Sequence, residues 1–369
     1  MRSVYFTHSL ASCWNHGNAH FLRGVLGELM ALGHDVRAFE PQGAWSLDNL
    51  LRDHGEAGLG PYRVQYPELQ SSEYAPDADL AALVAGADLV IVHEWNAHEL
   101  VADLGRMRSR DATFTLLFHD THHRAVSAPE EMRAYDLDGY DGVLAFGETL
   151  AEVYRQWGWG DRAFVWHEAA DTRRFLPPAQ EQQREGLVWI GNWGDGERSQ
   201  EIVDYLLEPA RDAGLPLDIY GVRYPDEAKL ALKQYGAHYH GWLANAAAPQ
   251  LFAQHLATVH VPRRFYTQVL PGIPTIRVFE ALACGIPLLS APWEDSEGLF
   301  RVGTDFLMLR SGADMTAALH KLKNEPDLRA SLVEHGLESI RARHTCAHRA
   351  EELLTIVERL RAPELRSVA

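Results

Sequence analysis

Short apolar runs of strand length alternate with longer stretches whose apolar positions recur every three or four residues, and the alternation persists through most of the chain. Runs with no polar face are what a parallel sheet covered on both sides requires. The first unit is clear. Residues 4–7 read as a strand, 14–18 as a polar loop containing Gly17, and Phe21, Leu22, Val25, Leu26, Leu29 and Met30 as one face of a helix. Gly33 ends that helix before a second strand at 36–39, and further strands are predicted at 89–93, 114–118, 142–146 and 164–166.

A proline-containing segment at 171–178 and a polar stretch at 179–185 interrupt the series. It then resumes with predicted strands at 187–190, 217–220, 258–261, 286–289 and 306–309, and amphipathic helices at 328–343 and 347–360 close the chain. With no internal repeat, the pattern predicts two similar α/β domains with a linker near residue 175 and a ligand cleft between them.

The 369 residues are enough for two such domains, and 46% hydrophobic with 23% charged residues is ordinary globular composition. The net charge of −17 argues against broad nucleic-acid binding and against docking on an anionic membrane. The N-terminus reads as a strand rather than a signal peptide, no run approaches the length of a membrane span, and Cys13, Cys284 and Cys346 are expected to be unpaired thiols of a cytoplasmic protein.

Candidate chemistry clusters where predicted strands end. At 272–290, GIPTIRVFEALACGIPLLS, Thr275 is placed to cap a helix whose free N–H groups and Arg277 would face an anion, with Glu280 one turn further in. Glu280 is not the partner of a capping box, because position 278 is Val; the bland alternative is a solvated glutamate. After the strand at 187–190 comes a turn with Gly191, Asn192, Gly194 and Gly196, and then Arg198; the spacing matches neither a dinucleotide fingerprint nor a P-loop. That turn offers backbone amides and a cation to a diphosphate, or else it is a surface loop.

The segments VHEWNAH and FHDTHHR place Glu94, Trp95, His119, Asp120, His122 and His123 at strand ends. These side chains suit hydroxyl recognition and acid–base work better than a metal, for which the ligand spacing is wrong, and Trp95 is either a stacking face or ordinary packing. In the first loop, Trp14, Asn15, His16 and Asn18 surround Gly17, which would allow close ligand approach or simply make a turn.

Together these segments resemble the nucleotide-sugar glycosyltransferases of the two-Rossmann (GT-B) fold, and within them the family 4-like, CgeB-like branch. GNAHFLRGVLGELMALGHDVRAF is similar to the first Gly-loop, helix and strand of that family, HEAADTRRFLP to its linker and RVFEALACGIPLL to its signature segment. The resemblance covers nearly the whole chain. It implies two Rossmann-like doubly wound domains facing across a cleft: residues 1–172, which would bind the acceptor, and 173–345, which would bind the nucleotide sugar, with a closing helix at about 346–369 crossing back to the first.

By resemblance, Glu280 holds the ribose hydroxyls, Trp242 lies by the base, and Arg198 with the Gly191–Asn192 turn contacts the diphosphate, joined by the backbone around 273–275. His119 would touch the transferred sugar and Gly17 would lie near the diphosphate. Two departures stand out: Gly272 occupies the position of the family's first glutamate, and Arg198 lacks the lysine that usually accompanies it.

The expected protein is a retaining, metal-independent glycosyltransferase without a cofactor, in which the departing diphosphate takes the acceptor proton and His119, Asp120 and Glu94 are the catalytic candidates. Its donor is a nucleoside diphosphate sugar; its acceptor is a small molecule, glycan, lipid or protein. An epimerase using Glu94 on the bound donor, and a non-catalytic nucleotide-sugar-binding protein, are the alternatives. A dehydrogenase lacks its dinucleotide fingerprint here.

Overall fold

A computed structural model describes residues 1–110, 112–180 and 182–362. The chain forms two compact units, Met1–Glu168 with Cys346–Ala369, and Ala169–Thr345. Residues 363–369 of the expected closing helix lie outside the described residues.

The first unit is built on a parallel sheet of β1 (Arg2–Phe6), β2 (Asp35–Pro41), β3 (Ser71–Tyr74), β4 (Leu89–His93), β5 (Thr115–Asp120), β6 (Gly142–Ala145) and β7 (Ala163–Val165). Their order is β3-β2-β1-β4-β5-β6-β7. Every residue of β4 and β5 is buried, which is why Leu89–Val92 and Leu116–Phe118 read as apolar runs. Helix α1 (Ala19–Ala31) lays Phe21, Leu22, Val25, Leu26 and Leu29 on the core, and the closing helix of this unit packs against it. Trp166, wholly buried, donates its indole N–H to the Arg349 carbonyl of that closing helix at 2.8 Å.

The second unit repeats the scheme with β8 (Leu187–Ile190), β9 (Leu217–Tyr220), β10 (His238–Gly241), β11 (Ala257–His260), β12 (Leu288–Ser290) and β13 (Leu307–Met308), in the order β10-β9-β8-β11-β12-β13. Leu187, Trp189, Ile219, Val259 and Leu289 meet Leu206, Leu207, Met315 and Leu319 in its core. After β8 the chain is helical over Ser199–Ile202, passes a π turn at Val203–Leu207 and continues helical through Glu208–Asp212. Helix α2 (Ile276–Ala283) precedes β12, α3 (Pro326–Arg343) ends this unit, and α4 (Cys346–Arg361) is the closing helix of the first unit.

Two strands have no counterpart in the apolar pattern. β3 and β10 are both at sheet edges, and their sequences, SSEY and HYHG, are mostly exposed, so no burial demand wrote an apolar run there. In each sheet the chain order reverses once, between β1 and β4 and between β8 and β11. Loops leave the carboxyl ends of those strand pairs in opposite directions, and the gap between them is where open α/β sheets bind ligands.

Candidate active site

At the second unit's reversal, the loop after β8 meets the loop after β11. Arg198 lies across the junction: it donates to the Val261 carbonyl at 2.8 Å, to the Asn192 carbonyl at 3.1 Å and to Asn192 Oδ1 at 3.0 Å. Its guanidinium stands 5.0 Å over the Trp189 ring, and Nε is buried with no hydrogen-bond partner. The stem of Arg198 runs against Gly194, where φ is +99° and a Cβ would sit 2.4 Å from Arg198 Cγ, so only glycine suits that position.

Gly191 is held from below. Its carbonyl accepts from Trp189 Nε1 at 3.2 Å and from Tyr224 OH at 2.9 Å, and a Cβ on neighbouring Gly221 would lie 2.0 Å from the same oxygen.

The sequence left Arg198 without a companion cation; the fold supplies one in Arg263. Its guanidinium donates to Asn192 Oδ1 at 3.2 Å, to the Gly194 carbonyl at 3.2 Å and to Glu197 at 2.7 Å. Burial, then the like charge of Arg263 and a smaller one from Arg277, depresses Arg198 to about 9. His260, at the end of β11, is likewise held down to about 3 by burial and by Arg198, with Nδ1 on Ser290 Oγ at 3.0 Å. A half-buried cation crowded by cations is a site whose electrostatics an incoming anion would relieve.

Thr275 stands at the N-cap of α2 in extended conformation, but its side chain makes no capping bond; the first-turn bond runs instead from Val278 N to the Thr275 carbonyl. The expected hydroxyl cap is therefore corrected to a helix start closed by backbone alone. Glu280 is fully buried rather than solvated. One oxygen pairs with Arg277, one turn earlier on the helix, and the other accepts from Asn245 Nδ2 at 2.6 Å. Asn245 comes from the loop after β10 that also carries Trp242, which is half-buried.

Gly272 has φ +92°, and a Cβ there would lie 2.4 Å from Ser296 Oγ and 3.3 Å from Glu297 Oε1. A glutamate at 272 would need a strained backbone and a displaced neighbour, and the carboxylate of Glu297 already stands beside that space.

In the first unit, the corresponding reversal gathers histidines. His93 and His119 are paired across β4 and β5, and His8 and His16 come from the loop after β1. His93 Nε2 lies 2.9 Å from Glu94 Oε2 and 3.0 Å from Thr121 Oγ1, while Thr121 donates to Glu94 Oε1 at 3.2 Å. Burial alone would raise the Glu94 carboxyl, but His93, with help from Arg124 and His119, takes it down to about 2. Burial is also the main reason that His8 falls to about 3 and that His16 and His119 fall well below the ordinary imidazole value.

His119 is fully buried among Phe21, Trp166 and Tyr5, with Nδ1 hydrogen-bonded to Tyr5 OH, so it lies in the interior beside His93 rather than at the surface. Asp120 is turned into the protein: its oxygens accept from Tyr154 OH at 2.7 Å and from His122 N at 3.0 Å. Among the described residues no cluster of His, Cys, Asp and Glu could hold a metal ion. Gly17 is exposed just ahead of α1, and the left-handed residue of that loop is Asn15.

Burial, then the charge of Glu94, raises Asp120 to about 7. Its folded form binds a proton that the unfolded chain has released above pH ~4, so stability falls as pH rises from there to about 7. Asp120→Asn keeps an acceptor for His122 N and a partner for Tyr154 OH. Urea unfolding of this variant is expected to show a smaller loss of stability between pH ~4.5 and ~7.5 than the parent; an unchanged loss would show that Asp120 does not titrate in that window.

Residues 198–355, under half of the chain, match the family model described as glycosyl transferase-like. Among solved structures, the chain aligns over 97% of its length with T4 phage β-glucosyltransferase bound to UDP-glucose, covering 100% of that chain at 12% identity and a TM-score of 0.61. The fold is that of the GT-B glycosyltransferases. Two other GT-B structures share it: an α-glucosyltransferase in complex with UDP and DNA (TM-score 0.68, 12% identity, 97% and 99% of the two chains) and Anabaena HepE in complex with UDP and glucose (TM-score 0.65, 13% identity, 97% and 100%). No relative of assigned function matches the chain in sequence. None of the helices among the described residues is long and apolar enough to cross a membrane.

Proposed function

We propose that the chain is a glycosyltransferase that takes its sugar from a nucleoside diphosphate sugar bound by the second unit and transfers it to a hydroxyl acceptor bound by the first. The observation that carries this reading is the group of Arg198, Arg263 and Arg277 at the reversal between β8 and β11, beside a buried glutamate on a helix start. A diphosphate is the ligand whose charge answers that group, and the GT-B frame supports the choice. Glu280 is read as the ribose acceptor, with Arg277 and Asn245 holding its carboxylate in place; Trp242 lies by the base, and the turn at Gly191 and Asn192 lies by the phosphates.

Arginines and helix amides stabilise the leaving diphosphate, which accelerates the reaction by offsetting charge that develops only as the sugar–phosphate bond breaks. No metal is needed for that role. Burial holds His8, His16 and His119 well below the ordinary imidazole value, so these three are poor bases, which favours the leaving phosphate as proton acceptor and retention at the anomeric carbon. With a glycine at 272, Glu297, whose Oε1 would lie 3.3 Å from a Cβ there, is read as the residue that holds the donor sugar's hydroxyls. The CgeB-like branch is part of this reading, on the Arg-x-Phe-Glu run at residues 277–280.

The test is incubation with UDP-, GDP-, ADP- and dTDP-sugars, monitoring release of the nucleoside diphosphate and, by NMR, the anomeric configuration of any product. Release with at least one donor is expected, with retained configuration. Neither binding nor turnover with any of them would end the proposal.

A further inference from the structure

The first unit carries a cavity of about 530 Å³ that the chemistry described so far does not use. Asp138, Gly139 and Tyr140 lead into β6 and Arg162 leads into β7, so these walls stand at the amino ends of the two strands. The candidate residues Glu94, His119 and Asp120 stand at carboxyl ends. Asp120 is in register with Ala145, the last residue of β6, so the four residues of that strand, ~13 Å of backbone, lie between it and these walls.

The helix Glu148–Tyr154 puts Leu150, Ala151 and Tyr154 into the core and then runs into a π turn, Arg155–Trp159, none of whose residues is fully buried. Gly158, at φ +98°, bends the backbone between two tryptophans, and both Trp157 and Trp159 line the cavity. Half-buried indoles outside a core are surfaces that ligands use. A guanidinium lies over each: Arg133 is 4.9 Å from the Trp157 ring centroid and Arg162 is 4.8 Å from that of Trp159. Both arginines are exposed, and among the described residues neither pairs with a carboxylate; Arg162 gives one N–H to the Tyr140 carbonyl at 3.3 Å. In a chain with 51 acidic and 34 basic residues, chance pairing would not leave two neighbouring arginines without a counter-charge.

We propose that this cavity binds a carboxylated sugar unit of a glycan chain, with the C–H face of the ring on the indoles and the carboxylate on Arg133 and Arg162. A guanidinium laid flat on an indole keeps its N–H edge free, and that edge offers the two parallel bonds that a carboxylate takes. The volume suits one or two sugar rings. Asp138 and Gln156 on the same walls are partners for hydroxyls, which a sugar supplies in number. An acyl chain would meet these polar groups unpaired, and a diphosphate would bring more negative charge than two arginines beside Asp138 can answer. This is a second site, apart from the transfer reaction, and it does not depend on the transferase reading.

The test is titration of the full chain, by tryptophan fluorescence and calorimetry, with oligogalacturonate, maltotetraose, inorganic phosphate and phosphatidylglycerol vesicles in turn, and with UDP as a separate arm. Oligogalacturonate is expected to bind without competing with UDP, and more weakly as salt is raised. Trp159→Ala and, at an exposed position that leaves the core untouched, Arg133→Gln should each lower that affinity about tenfold while the unfolding midpoint and the response to UDP stay the same. Maltotetraose binding as tightly, a response to phosphate or vesicles alone, competition with UDP, or an oligogalacturonate affinity indifferent to both substitutions would overturn the assignment. The absence of any oligogalacturonate binding would overturn it as well. None of these results bears on the transferase reading, which fails only if nucleotides and nucleotide sugars do not bind.

Discussion

Glu280→Ala is expected to abolish measurable UDP binding and to lower the stability of the second unit by about 3 kcal/mol, the lower end of the cost of breaking a buried ion pair. The carboxylate is wholly buried and accepts from both Arg277 and Asn245. Its removal leaves one guanidinium, still 17% exposed, without its counter-charge and one amide without its acceptor. Partial exposure of Arg277 is why the lower end of the range applies. Both partners come from segments that line the proposed nucleotide site, so the loss should be felt first in binding. Glu280→Gln separates the two effects: Gln retains an oxygen for Asn245 and restores most of the stability, yet it lacks the charge that holds Arg277. Calorimetry with UDP alongside thermal unfolding distinguishes them. Wild-type affinity in Glu280→Ala would remove Glu280 from the site.

One physical cause governs both the elements that the sequence displayed and those that it hid. Buried parallel strands are mostly apolar, so β4, β8 and the Leu116–Phe118 stretch of β5 were visible as runs, and the alternation with helices was enough to indicate two Rossmann-like units. Edge strands carry no such demand, and β3 and β10 went unseen. Strand ends were also visible: Glu94, His119 and Asp120 lie at carboxyl ends as expected. The direction of each side chain was not, because it depends on pleat and packing. Asp120 turns inward to Tyr154, His119 sinks beneath α1, and His8, which no motif marks, is half-buried.

Arg263 was hidden for another reason. It meets Arg198 only because β8 and β11 are neighbours in the sheet, a pairing that strand order reveals and local sequence does not. A glycine-turn motif spans only the residues contiguous with the turn, whereas the second cation arrives from the other side of the chain reversal. Gly272 shows the converse: the sequence displayed the missing glutamate, but only the left-handed backbone and the nearness of Glu297 explain it.

Arg263→Ala should weaken UDP binding by about 10- to 100-fold, the worth of one or two charge-assisted hydrogen bonds to phosphate, with little change in the stability of the free protein. The reason for the split is that Arg263 sits among cations. Its bonds to Glu197, Gly194 and Asn192 favour the folded state, and its repulsion of Arg198 opposes it. Arg198→Met is the sharper case. It removes a half-buried charge and leaves an apolar stem against Trp189, but it also strips donors from the carbonyls of Val261 and Asn192. Those losses and the relief of desolvation oppose each other in the free protein, whereas in the complex the cation is simply missing. Ligand linkage makes the difference measurable. UDP at about a hundred times its dissociation constant stabilises a protein by about 2.7 kcal/mol, so the wild-type unfolding midpoint should climb with UDP while that of Arg198→Met stays where it is. A midpoint that climbs equally in both would mean that the diphosphate binds elsewhere and that these arginines only brace the turn.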